Sequence, residues 1–140
     1  MRLVRWCLLV GLLALVACGS RHQAQPTLPS GQKITINDQT LAEGGSDTVR
    51  FGHMHAGEVA VLPLLFANES TQPIVILGYD RTCGCTTLEY ENQPLKSGEQ
   101  RAANLRFDSA GSYGWQFKVV KIRLSGSREP HRLYVEADVE

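Results

Sequence analysis

The chain has 140 residues, with 14 Lys and Arg against 14 Asp and Glu, and 43% of its residues are hydrophobic. This balanced charge, with no basic cluster, excludes the electrostatic footprint of a nucleic-acid binder. The length allows one domain of ordinary size and little more.

The first segment, "MRLVRWCLLVGLLALVAC", places Arg2 and Arg5 before an apolar run from Trp6 to Ala17. A charged start and a run of about a dozen apolar residues make a secretory leader that is too short to span a bilayer. The run ends at Leu15-Val16-Ala17-Cys18, which resembles the bacterial lipobox. That resemblance implies a lipoprotein signal over residues 1–17 and acylation of Cys18, palmitate included. An anchor of several acyl chains is lasting, because each buried methylene contributes about 0.8 kcal/mol. Gly19 stands where an inner-membrane retention aspartate would be, so the outer membrane is favoured over the inner one. Residues 18–32, including "SRHQAQPTLPSGQ", are polar with two prolines and read as a disordered tether.

Residues 33–140 form the domain. Sustained helical periodicity is absent, and alternating or β-branched runs are separated by Gly, Pro and Asn. Strands are expected at 33–36, 47–51, 58–68, 74–80, 86–90, 100–108, 115–124 and 132–139. Pro63 demotes its strand toward an edge or marks a bulge, whereas "IVILGYD" reads as a buried strand. "QRAANLRFD" alternates Ala102, Asn104 and Arg106 on one side with Ala103, Leu105 and Phe107 on the other. Seven or eight strands with short turns predict an all-β, two-sheet sandwich.

The order of motifs adds to the strand count. Phe51-Gly52, Gly57-Glu58, Asn68, Cys83-Gly84-Cys85-Thr86 and Pro94 with Gly98-Glu99 occur in that order. This set resembles a family of bacterial exported domains of unknown function with a Cys-Gly-Cys-Thr motif. That family is similar to major sperm protein and Hydin-like domains. The resemblance implies an immunoglobulin-like sandwich used for binding or scaffolding. The chain departs from the family pattern at "HMH" (53–55) and at "SAGSYGWQ" (109–116).

With Cys18 acylated and Cys7 lost with the leader, Cys83 and Cys85 remain. They can pair with each other, or with another molecule. Closing a three-residue loop contributes only about 1.6 kcal/mol in the loop-entropy model, so a bond between them is not a staple, and its short span favours strain and easy reduction. Alternatively, the strand trace brings His53 and His55 to the same end as Cys83 and Cys85, a donor set that suits zinc or copper. Against that, neither spacing is that of a usual structural zinc site. His22 and His131 read as solvated, and Tyr90, Tyr113 and Trp115 as core or rim residues before a ligand platform. No Gly-x-Ser-x-Gly elbow, His-Glu-x-x-His motif or phosphate-binding glycine loop occurs, so no enzyme is expected. The expected role is a lipid-anchored, non-catalytic binding or scaffolding module of the envelope, whose partner, an envelope protein among the candidates, the residues do not name. The competing role is thiol-redox or metal handling.

Overall fold

The computed structural model describes residues 31–140. The leader, Cys18, His22 and nearly all of the expected tether lie outside the described residues. Eight strands and one short helix follow in chain order: β1 (Gln32–Ile36), α1 (Asp38–Glu43), β2 (Gly45–Met54), β3 (Val59–Asn68), β4 (Ile76–Arg81), β5 (Thr86–Glu89), β6 (Gln100–Asp108), β7 (Gly114–Leu124) and β8 (His131–Val139). They form two four-stranded sheets with orders β1-β3-β6-β5 and β2-β8-β7-β4, an immunoglobulin-like β-sandwich. Among the described residues no helix is long and apolar enough to cross a membrane.

Alternation along the strands builds the core. Ile34, Leu105, Val120, Ile122, Leu133 and Val135 are all but fully buried between the sheets. Ala103, Leu105 and Phe107 point inward, as their parity in the sequence predicts. A smaller cluster of Met54, Phe107, Ala137 and Val139 closes one end, with Phe51, Ala60 and Cys85 packed against it. We call this the upper end; there the loops 55–58, 82–85 and 109–113 each carry the chain from one sheet to the other.

Three local features differ from the sequence reading. Segment 74–80 is not a buried strand: β4 starts at Ile76, lies at the edge of its sheet and is largely half-exposed, with a register shift between Ile76 and Gly78. Of its apolar residues only Ile74 is buried; Val75 and Ile76 are half-buried and Leu77 is 60% exposed. Helix α1, absent from the sequence reading, is six residues long and capped by Asn37, whose Oδ1 accepts the Thr40 N–H at 2.8 Å. Third, His131 is not solvated; it is 2% exposed, with Nε2 2.9 Å from Asp47 Oδ2.

Pro63 sits as its chemistry requires. β3 is an inner strand without a bulge, but among the described residues β1 covers it only from Leu64 onward, so Pro63 is paired on one side, with Asn104 of β6. A residue with no N–H fits that half-open position.

Candidate functional site

The Phe51-Gly52 pair sets the outer face of the β2-β8-β7-β4 sheet. Register against β8 runs Arg50↔Glu136 and then Gly52↔Ala137, so Phe51 is the extra residue of a bulge, and Gly52 has a φ of 73°. A bulge of this kind shifts the side-chain phase by one. Phe51 turns inward onto Phe107, with ring centroids 5.6 Å apart, and His53 turns outward.

The outer face then carries two rungs across three strands. One is Arg50, Glu136 and Phe117; the other is His53, Asp138 and Trp115. Arg50 Nε lies 2.9 Å from Glu136 Oε2, and His53 Nδ1 lies 3.4 Å from Asp138 Oδ2. These four side chains and Trp115 line a shallow groove. Beside it runs a stripe of stacked rings. Trp115 and Phe117 have centroids 5.7 Å apart, and Phe117 and Tyr134 5.6 Å. Trp115 is 67% exposed, Phe117 43%, and Tyr113 in the preceding loop 83%. Tyr90, by contrast, packs edge-on against Tyr79.

The stripe lies on an open sheet edge. Pairing of β4 with β7 stops at Arg81↔Val120, extended one residue by Thr82 N–H to the Val119 carbonyl at 3.1 Å. Val119 N–H in turn bonds Thr82 Oγ1 at 3.0 Å. Backbone direction alternates along a strand, so the N–H and C=O of Phe117 and Trp115 face the same side as those of Val119. Among the described residues no strand pairs with Gly114–Lys118 there.

Where β4 ends, the chain crosses to β5 through Cys83, Gly84 and Cys85. The two cysteines are joined in a disulfide with Cα atoms 5.1 Å apart. Cys83 Sγ also accepts the Cys85 N–H at 3.1 Å. The upper end is pinned by Ser109, fully buried, whose one hydroxyl proton is shared between the carbonyls of His55 (2.8 Å) and Glu58 (2.9 Å). Asp108 N–H bonds the Cys85 carbonyl at 2.9 Å.

His55 and Cys83–Cys85 therefore do share one end, as the strand trace implies. They do not form a metal set. Among the described residues no three His, Cys, Asp or Glu side chains are grouped to hold an ion. His53 turns to Asp138 on the outer face, and the sulfurs bond each other. Phe117 and Tyr134 of the ring stripe, and Arg50, Glu136 and Asp138 of the groove, are site residues absent from the sequence reading. The signal is there: 115, 117 and 119 share parity with Lys121 and Arg123, opposite the buried Val120, Ile122 and Leu124.

Residues 42–139 match the family model "Protein of unknown function (DUF1573)". The chain belongs to the DUF1573 family. No curated protein matches it. Among solved structures, this DUF1573 chain is similar to a protein of unknown function from Porphyromonas gingivalis W83, at 16% identity and TM-score 0.58, covering 81% of this chain and 50% of that one. It is also similar to the secreted serine protease VesC from Vibrio cholerae, at 14% identity and TM-score 0.50, covering 64% of this chain and 21% of that one. The chain thus spans half of the first structure and about a fifth of the second. At such identities the likeness is one of fold.

Proposed function

We propose that this DUF1573 protein is a non-catalytic binding module, held by lipid on Cys18 in the bacterial envelope, that takes an extended polypeptide along the open half of β7. The observation that carries this reading is the coincidence of two features in Gly114–Lys118. Its unpaired backbone groups face outward, and its exposed side chains are aromatic. Extended peptides that add to a sheet edge gain affinity from the backbone and selectivity from alternate side chains. Trp115 and Phe117 supply broad apolar contact area, and the Arg50–Glu136 and His53–Asp138 pairs give the adjacent groove polar walls.

The lipobox-like end of the leader supports the tether, and the absence of catalytic motifs supports the non-catalytic role. With the leader removed, Trp115 is the single tryptophan, so its emission reports on the edge without interference. A panel of unstructured peptides titrated against the full-length protein in detergent should yield saturable Trp115 emission changes. Phe117→Pro, which removes an outward N–H, should abolish them. Titrations unaffected by Phe117→Pro would refute edge binding.

A further inference from the structure

We infer that the Cys83–Cys85 bond is an exchangeable disulfide, handed to a pair of thiols on a bound polypeptide. The bond has no stapling task. Its loop holds three residues, and the crossover is already fixed by backbone bonds on both sides of it. Thr82 N–H bonds the Val119 carbonyl, and Asp108 N–H bonds the Cys85 carbonyl. Thr86 Oγ1 donates to the Cys83 carbonyl at 3.2 Å. A disulfide that constrains so little of the unfolded chain adds little stability.

The two sulfurs have different surroundings. Cys85 packs against the cluster of Met54, Phe107, Ala137 and Val139. Cys83, half-buried like Cys85, lies outside that cluster and receives the Cys85 N–H. When the bond opens, that N–H points at the charge on Cys83, as amides do in reactive thiol sites. Gly84 between them is exposed, and a side chain placed there would meet nothing within 4 Å. The turn is thus open at Gly84, and Cys83, which no core cluster covers, is the sulfur assigned to receive the attacking thiolate.

The chemistry closes without a further reagent. One substrate thiolate attacks Cys83 Sγ, the Cys83–Cys85 bond breaks, and its electron pair leaves on Cys85 Sγ. A mixed disulfide joins the substrate to Cys83. The second substrate thiolate attacks the substrate sulfur of that bond and expels Cys83 as a thiolate next to the Cys85 N–H. The substrate gains a disulfide, the protein gains two thiols, and the protons lost by the substrate end on Cys83 and Cys85. Direction follows from loop size. A substrate disulfide between distant residues resists reduction better than a three-residue ring.

The exchange itself rests on the surroundings of the disulfide. The choice of a polypeptide as thiol donor rests on the proposed binding edge, because Thr82, the last residue paired with β7, is adjacent to Cys83. The test uses oxidised full-length protein in detergent, mixed with glutathione, quenched with acid and mapped by mass spectrometry. Glutathione should be found on Cys83; adducts on Cys85, or none, overturn the proposal. Cys85→Ser should form a mixed disulfide with oxidised glutathione about tenfold faster than Cys83→Ser. Equal rates also overturn it. A separate arm replaces glutathione with an unstructured peptide carrying two cysteines. That peptide should react faster than glutathione in wild type and no faster in Phe117→Pro. If peptide and glutathione react alike in wild type, edge delivery fails while the exchange stands.

Discussion

Glu58 and Glu99 perform the same task at opposite ends of the molecule. Glu58 N–H bonds the His55 carbonyl while its carboxylate accepts the His55 N–H at 2.9 Å. Glu99 repeats this with Lys96, again at 2.9 Å. The glycine before each, Gly57 and Gly98, has a φ near 80° (84° and 80°), which a side chain rarely adopts. Asn68 is also architectural: fully buried, it donates to the carbonyls of Gln72 and Leu95 and accepts from Ser70. The motif residues legible in the sequence are thus largely those that fold the turns. Ser109, outside those motifs, closes the upper end. Ser109→Ala should cost about 1 kcal/mol in a urea melt, because the hydroxyl's bond is lost while the His55 and Glu58 carbonyls keep the backbone N–H donors of Glu58 and Ser109.

His131 was illegible because its partner, Asp47, is 84 residues away. Burial holds the imidazole below the usual histidine range, against the opposing hydrogen bond and charge of Asp47. The unfolded chain therefore binds the proton more readily than the folded one. Stability is fully present above about pH 6.5, the unfolded value, and is lost as pH falls from there toward the folded value. Urea melts from pH 8 to pH 5 should show this decline, and His131→Gln should flatten it. A wild type that gains stability over that range would contradict the burial argument. Among the described residues Nδ1 has no hydrogen-bond partner, and a Cβ at Gly45 would fall 2.6 Å from it, so Gly45→Ala should also destabilise.

Strand positions were legible wherever one face is buried and the other is wet. β6 and β8 alternate cleanly, and their parity is visible in the residues. Edges were harder, because an apolar β-branched run reads alike whether one neighbour or two cover it. That is why β4 read as buried, whereas Pro63, by its missing N–H, revealed the half-open stretch of β3. The open half of β7 is likewise invisible in sequence, since it depends on where β4 stops. It makes a paired forecast. Gln116 N–H faces β8 and Phe117 N–H faces outward, so Gln116→Pro should be less stable than Phe117→Pro by about 1–3 kcal/mol in urea. Equal losses would mean that the assigned backbone directions are wrong.

Taken whole, the molecule is a sandwich whose stability comes from the apolar layer between the sheets and not from its disulfide. Replacing Cys83 and Cys85 together with Ser should lower stability by no more than about 2 kcal/mol, the scale of ordinary point changes. An unfolded double variant would contradict that. For the proposed attachment, Cys18→Ala should abolish fatty-acid labelling and release the protein from membranes. Labelling that persists would remove the lipid anchor from the account.

The most direct test of the binding edge is amide hydrogen exchange along β7 in the free protein and with a bound peptide. In the free protein, Trp115 and Phe117 should exchange fast while Gln116 and Lys118, bonded to β8, exchange slowly. On saturation with a bound peptide, Trp115 and Phe117 should become protected and the other two should not change. Amides of Trp115 and Phe117 already slow in the free protein, or still fast at saturation, would contradict the proposal that this edge is the binding site.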